Sequence, residues 1–478
     1  MTALGFILFC ASLLIPQSKN SVPPPPLYPV PSESQLAWHE MEQNAFVHFT
    51  MNTFTGREWG EGDESPALFN PTAFDAGQWA RVFHEAGFKG VILTCKHHDG
   101  FCLWPSAYNE HSVKNSPYKN GRGDIVREVA EACKRYGLKF GVYVSPWDRN
   151  HAEYGRAAYI DYYRNQLREL FTNYGPVFEM WFDGANGGSG YYGGARATRR
   201  VPIQTYYEWP ATLELVQSWN PNIIFFSDGG PGVRWCGNER GLAGETNWCT
   251  FSNDTIYAGK AGIEEVLNRG MEDGNKWIPA EVDVSIRPGW FYHSEEDSLV
   301  KSSQQLFELY LSSVGRGSTL LLNVPPDRRG LIHENDIASL KGWKHMLDWE
   351  FRTNLALHAQ AEASSFRGES YAGPMATDGK KETYWATDDS VKSGHLVIDL
   401  GKQRTVKYVV LQEYVRLGQR VRSFTIEAQR NGAWERVAVG TTVGYKRILR
   451  FDPVVTGRIR VTIVDAKACP VISNVEVY

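Results

Sequence analysis

Between residues 32 and 351, short apolar runs alternate with stretches whose apolar residues recur every three or four positions; beyond residue 354 a two-residue period replaces that rhythm. A helical start over 32–42 runs into the strand-like Ala45-Phe46-Val47-His48-Phe49-Thr50. Helical periodicity over 74–86, stopped by Gly87, precedes a strand from Lys89 to Cys95, and the stretch 124–136, stopped by Gly137, precedes another from Leu138 to Val144. Helices over 154–171 and 209–219 lead to the runs 178–182 and Asn222 to Asp228. Segments at 280–286 and 318–324, with a helix over 302–314 between them, complete the series. Near-continuous apolar strands between amphipathic helices argue for a parallel sheet covered on both sides. Seven or eight of them fit a (β/α)8-like barrel over residues 32–353. The stretch from Gly229 to Trp277 is weakly periodic and is expected to hold a missing or degenerate barrel helix.

After residue 353 the helical patterns vanish. Leu396 to Gly401, Tyr408 to Leu411, Phe424 to Glu427 and Arg458 to Ile463 are short alternating strands separated by turns, which predicts a β-sandwich over 354–478. Ahead of the barrel, residues 18–31 form a linker in which Pro23-Pro24-Pro25-Pro26 favours extended backbone. The apolar run from Ala3 to Cys10, continuing through Leu13-Leu14-Ile15, predicts a signal peptide over 1–17 and hence export, although a basic n-region and an A-x-A site are missing. Phe9 beside Cys10 is a poor fit to a lipobox. No other segment is long and apolar enough to span a membrane.

The length of 478 residues suits a barrel plus a smaller module. A net charge of -4, with acids and bases interspersed, offers no basic block for a phosphate backbone, which excludes nucleic acid as the expected partner. None of the seven Cys has C-x-x-C spacing and no His-rich tract accompanies them, so no metal site is expected among them. Cys236 and Cys249 are near enough in sequence to bridge, and the others read as buried apolar residues.

Chemistry-bearing residues cluster where barrel strands end, which in this architecture is the functional face. They are His48, then Glu58 with Trp59, His97 with His98, Tyr143, Trp181 with Asp183, and the stretch from Arg234 to Glu239. Asp183 follows Phe178-Glu179-Met180-Trp181-Phe182 and precedes Gly184-Ala185-Asn186; taken alone, such an Asp is also a common turn former or helix cap. His97-His98-Asp99 lacks the H-x-H or H-x-x-x-H spacing of a metal site. Together the cluster describes a polar pocket with aromatic walls, suited to a sugar with several hydroxyls.

His48-Phe49-Thr50-Met51-Asn52-Thr53, Lys96-His97-His98-Asp99-Gly100-Phe101 and Trp181-Phe182-Asp183-Gly184-Ala185 resemble the core motifs of the α-L-fucosidases of glycoside hydrolase family 29. The resemblance implies a retaining hydrolase with Asp183 as nucleophile. It also implies a fucose pocket lined by His48, Glu58, Trp59, His97, His98, Tyr143 and Trp181. Arg234-Trp235-Cys236-Gly237-Asn238-Glu239 is similar to a motif of the subgroup selective for α-1,3/1,4 linkages, which implies Glu239 as acid/base, with Glu245 as the alternative, and Arg234 beside the substrate. The segment from Arg287 to His293 also resembles that subgroup and implies Trp290 on the leaving-group side. Retaining chemistry pairs an ionised carboxylate with a protonated carboxyl about 5–5.5 Å away. Asn354-Leu355-Ala356, Ala376-Thr377-Asp378-Gly379, Tyr384-Trp385-Ala386 and Val397 to Gly401 resemble discoidin-like (F5/8 type C) domains. These bind sugars and often a structural calcium, or buttress a neighbour. No catalytic cofactor is implied, and the expected partners are fucosylated oligosaccharides or glycoconjugates. A barrel hydrolase for another sugar, an adhesion protein led by its sandwich, and an inactive lectin-like relative using the same pocket are the other readings; the presence of both Asp183 and a candidate acid disfavours the last.

Overall fold

The computed structural model describes residues 22–478. Eight parallel strands close a barrel in strict sequence order: β1 Gln43–Val47, β2 Gly90–Lys96, β3 Lys139–Val144, β4 Glu179–Trp181, β5 Ile224–Ser227, β6 Val233–Trp235, β7 Ala280–Ser285 and β8 Thr319–Asn323. Almost every residue of β1, β2, β7 and β8 is buried, as expected for strands lined by side chains inside and covered by helices outside. The helix α1 (Glu33–His39) precedes β1, and α2 (Ala76–Glu85), α3 (Ile125–Arg135), α4 (Ala158–Asn173), α5 (Trp209–Trp219), α6 (Glu264–Arg269), α7 (Ser303–Ser312) and α8 (Glu334–Glu350) form the outer layer. Their starts follow the sequence: Ser32 and Ser302 form capping boxes with Gln35 and Gln305, and Asp75 and Asp124 accept backbone N–H groups of the first turn.

The barrel is irregular in one place. No helix separates β5 from β6; the chain turns through 228–232, and the following connection to β7 carries only the six-residue α6. Strand β6 therefore lies inside the weakly periodic stretch, where three residues are too few to show a period.

The C-terminal domain is antiparallel throughout. Strands β9 (Gln360–Ala363), β10 (Trp385–Ala386), β11 (Gly394–Glu413), β12 (Val421–Arg430), β13 (Ala433–Gly440), β14 (Arg447–Ala466) and β15 (Val471–Val477) pair in the order β10-β15-β11-β14-β12-β13, with β9 on β11. The 20-residue strands β11 and β14 carry register shifts that let them bend round a core of alternating residues such as Leu396, Ile398, Ile459, Val461 and Ile463.

Two expectations need revision. The proline-rich stretch is extended, but its described part is docked: Leu27 N–H donates to the Leu417 carbonyl, and Arg420 Nη2 donates to the Pro25 carbonyl. Cys236 and Cys249 do not bridge; all six Cys among the described residues are free and buried. Among the described residues no helix is long and apolar enough to cross a membrane. The expected signal peptide, residues 1–17, lies wholly in residues 1–21, outside the described residues.

Candidate active site

The Lys96 to Phe101 motif shows how scaffold and site divide a short sequence. Lys96 turns outward from β2 into a buried cage, 3.1 Å from Asp148 Oδ2 and 2.9 Å from Gln166 Oε1, among the rings of Tyr159, Tyr162 and Tyr163. Removing one partner of such a pair leaves an uncompensated buried charge, at a cost of about 3–5 kcal/mol. Asp99 accepts the Phe101 N–H and shapes the turn. Only His97 and His98 face the other charged and aromatic groups gathered at the strand ends, including Tyr143 and Asp183.

Burial holds all three pocket histidines neutral: His48 falls to about 3, His97 well below its ordinary range, and His98 is lowered even though the Asp183 charge opposes the shift. Their partners then decide the tautomers. Asn323 gives its amide N–H to the Trp290 carbonyl and to Ser285 Oγ, so its oxygen must face His48 Nδ1, at 2.8 Å. His48 donates from Nδ1 and keeps Nε2 as an acceptor. His98 behaves alike, since Ser145 Oγ gives its proton to the Trp147 carbonyl and accepts from His98 Nδ1 at 2.7 Å. His97 is the reverse: Asn52 Nδ2, already a donor to the Glu58 carbonyl, stands 3.3 Å from His97 Nδ1, leaving Nε2–H as a donor. A neutral pocket with two acceptors and one donor matches hydroxyl groups, which both give and take hydrogen bonds.

Asp183 follows β4 by two residues. Tyr143 O–H donates to its Oδ2 at 2.8 Å and the Ala185 N–H to its Oδ1 at 2.7 Å; His98 Nε2 lies 3.9 Å away. Two donors fix the orientation of this partly exposed carboxylate. Gly184 lets the chain pass close to Asp228, whose Oδ2 would stand 2.6 Å from a Cβ there and would have to move to admit one. Trp181 lies flat on Phe226 with ring centres 3.9 Å apart and is tied by its indole N–H to Glu281 Oε1 at 3.0 Å. Trp59, 54% exposed, sets its edge against His98 and Trp147 at the pocket rim.

The second carboxyl comes from the far side of the barrel. Glu239, four residues past β6, accepts from Trp290 Nε1 at 3.3 Å. Its carboxyl is raised above the ordinary range, first by burial and then by the negative charges of Asp183 and Glu58, with the Trp290 N–H opposing. Glu58 is held by the same segment: its oxygens take the Trp290 N–H at 2.8 Å, the Phe291 N–H at 3.3 Å and His293 Nε2 at 2.7 Å. Asp183, held by two donors, and Glu239, a carboxyl raised by burial, thus come within electrostatic reach of each other.

Two expected site residues lie elsewhere. Arg234 points away from the barrel axis and is fully buried; it donates to the Leu267, Ile278 and Trp248 carbonyls and to Asn247 Oδ1, so it braces loops rather than meeting substrate. As the middle residue of a three-residue strand its side chain faces opposite to those of Val233 and Trp235. Glu245 is exposed and paired with Arg316 Nη2 at 3.2 Å, and its carbonyl is held by the C-terminal domain. Among the residues sequence reasoning missed are Asn52, Ser145, His293 and Asn323, which orient the primary groups. Asn323 left a signal, a lone amide ending the run Leu320-Leu321-Leu322. Among the described residues no group of three or more His, Cys, Asp or Glu is placed to hold a metal. A calcium in the C-terminal domain would have to be held largely by carbonyl oxygens.

This geometry has relatives. The model of the α-L-fucosidase family matches residues 26–349, and that of the F5/8 type C domain matches residues 360–477. The chain belongs to the α-L-fucosidase family of glycoside hydrolases, family 29. It is 41% identical to α-L-fucosidase 1 of Arabidopsis thaliana over 99% of this chain and 93% of the relative. A glycoside hydrolase 29 family member from an unknown rumen bacterium is 46% identical with a TM-score of 0.85, covering 95% of this chain and 78% of that one. A Ruminococcus gnavus GH29 fucosidase solved in complex with fucose is 33% identical, TM-score 0.85, covering 96% and 97%.

Proposed function

We propose that the protein is an exo-acting, retaining α-L-fucosidase that releases terminal α-1,3/1,4-linked fucose from branched, Lewis-type glycans through a covalent fucosyl-Asp183 intermediate. The observation that carries the reading is the asymmetry of the two carboxyls, Asp183 held by two donors and Glu239 raised by burial and by Asp183 itself. Asp183 attacks the anomeric carbon while Glu239 passes its proton to the departing glycosidic oxygen. Glu239, now ionised, then takes a proton from the water that cleaves the fucosyl ester, and both carboxyls return to their starting states. His48, His97 and His98 hold the sugar hydroxyls, and the aromatic walls accept the methyl group of fucose.

Linkage selectivity rests on Trp290. Its backbone N–H lies on Glu58 and its indole N–H on Glu239, which sets the ring between the fucose pocket and the proton donor, where the leaving sugar must pass. A branched leaving group offers remote contacts that can be used to lower the barrier at the reacting bond. The apolar start of the chain supports export, so the expected substrates are extracellular or periplasmic glycans. Hydrolysis of Lewis-type trisaccharides, compared with α-1,2-fucosyllactose and a galactoside panel, tests the reading. Efficient α-1,2 cleavage overturns the linkage assignment, and binding of fucose without any turnover overturns the enzymatic one.

A further inference from the structure

The connection from β6 to β7, which carries Glu239, has only the six-residue α6 to pack it onto the barrel, and the C-terminal domain holds it as well. Asn247 N–H donates to Thr442 Oγ1 at 2.8 Å, and its carbonyl accepts from Gln419 Nε2 at 3.0 Å. Gln419 Oε1 takes the Cys249 N–H at 2.7 Å. Arg447 Nη1 and Thr441 Oγ1 both donate to the Glu245 carbonyl, at 2.8 and 3.0 Å. Gln419, Thr442 and Arg447 are buried, so these are desolvated bonds whose loss leaves polar groups unpaired.

The grip is continuous with the acid. Asn247 Oδ1 accepts from Arg234 Nη2 at 3.0 Å, and Arg234 lies in β6, five residues before Glu239. On the other flank, Arg316 Nη1 holds the Ala243 carbonyl at 2.8 Å and Ser312 Oγ holds the Gly241 carbonyl at 3.0 Å. The loop bearing Glu239 thus has two roots, β6 and residues 245–249, and both meet at Asn247 between Arg234 and the C-terminal domain.

We propose that the C-terminal domain, through Gln419 and Thr442 on Asn247 and Cys249, positions the general acid Glu239, and so acts on bond cleavage without touching the sugar. The inference rests on Glu239 being the acid. Gln419 and Thr442 are positioning residues, and their effect must bear the signature of proton donation: a loss in kcat/KM that grows as the leaving group worsens.

The test uses the full chain. Thr442→Val removes the acceptor of the Asn247 N–H while keeping side-chain shape, Thr442→Ser restores it, and Gln419→Met removes both contacts of that amide. For the folded Thr442→Val–Gln419→Met protein, verified by circular dichroism, kcat/KM on a Lewis-type trisaccharide should fall tenfold or more, within the roughly 10²-fold that a misplacement of about 1 Å can cost. On an activated aryl fucoside, which hardly needs a proton, the fall should stay under about threefold. The alkaline limb of the trisaccharide kcat/KM profile should move to lower pH, because a loosened Glu239 gains water while still facing the carboxyls of Asp183, Glu58 and Asp283. Thr442→Ser should behave as wild type. If the double variant does not fold, Thr442→Val alone should show the same bias at smaller size. Equal losses on both substrates, or none on either, overturn the inference when Glu239→Ala itself shows the bias. A Glu239→Ala protein without the bias overturns the acid assignment, and the inference with it.

Discussion

The two halves of the barrel hold the two proposed catalytic carboxyls by different means. In the first half, three site groups stand just beyond strand ends and are fixed by neighbours on other strands: Asp183 by Tyr143, His98 by Ser145, His48 by Asn323 across the seam to β8. Between β5 and β7 the connections carry little helix, and Glu239 and Trp290 come from loops that other loops and the second domain hold in place. Strands place a nucleophile more exactly than loops can. Loops leave the proton donor and the leaving-group wall free to differ between relatives without disturbing the sugar pocket. On the proposed reading, recognition of the cleaved sugar falls to the first half, and protonation and reading of what it leaves to the second.

The strongest way to break that comparison is at its fixed side. Asp183→Ala should lower turnover by several orders of magnitude on every fucoside, good or poor leaving group alike, with Tm near wild type because the carboxylate is partly exposed. Asp183→Gly supplied with azide should yield a fucosyl azide. Near-wild-type turnover in Asp183→Ala would sink the nucleophile assignment and the division with it.

The loop-borne side should fail selectively. Glu239→Ala should cost about 10²–10⁴-fold in kcat/KM on natural linkages and far less on activated aryl fucosides. Since Glu239 must be protonated to act and is raised above the ordinary range, the wild-type alkaline limb on poor leaving groups should lie above that of an ordinary carboxyl and vanish in the variant. Trp290→Ala should have a smaller effect, cutting activity on the branched trisaccharide more than on unbranched fucosyl-GlcNAc. Equal losses on the two would show that Trp290 does not read the branch.

The same division explains what was legible in the sequence. The strands β1 to β5, β7 and β8 each left an apolar run of several residues, and the groups beyond them stood out as polar interruptions. Strand β6 did not, because Val233-Arg234-Trp235 is too short for a period and its middle residue is an arginine made tolerable only by carbonyls distant in sequence. Arg234 therefore looked like a site residue, although all its partners are structural. Glu239 and Glu245 looked equivalent six residues apart; only folding sends one carboxyl to Trp290 and the other to Arg316 at the exposed edge. The orienting amides and hydroxyls were unreadable for the same reason, since their meaning lies in whom they touch.

One contact joins the halves beneath the pocket. Glu179 of β4 and Glu281 of β7 face each other, fully buried, and take the indole N–H groups of Trp38 and Trp181 on their outer oxygens. Glu179 Oε1 and Glu281 Oε2 have no N–H or O–H donor, so a proton between the two carboxyls is what satisfies them. Burial raises both, and the charge of Glu179 further opposes ionisation of Glu281. A carboxyl whose folded pKa is raised contributes stability that is whole below its unfolded pKa and is lost as pH climbs through the folded value. The wild type should therefore lose Tm from the ordinary carboxylate range upward into neutral and mildly alkaline pH. Glu281→Gln keeps an oxygen for Trp181 and gives Glu179 Oε1 a permanent N–H donor. It should match wild type near pH 4.5 and exceed it by several degrees near pH 8, with kcat/KM nearly unchanged, whereas Glu281→Leu should lower Tm at both pH values by unpairing Trp181. A Tm difference between Glu281→Gln and wild type that stays constant with pH would mean that no proton is held there, and that the halves are joined by packing alone.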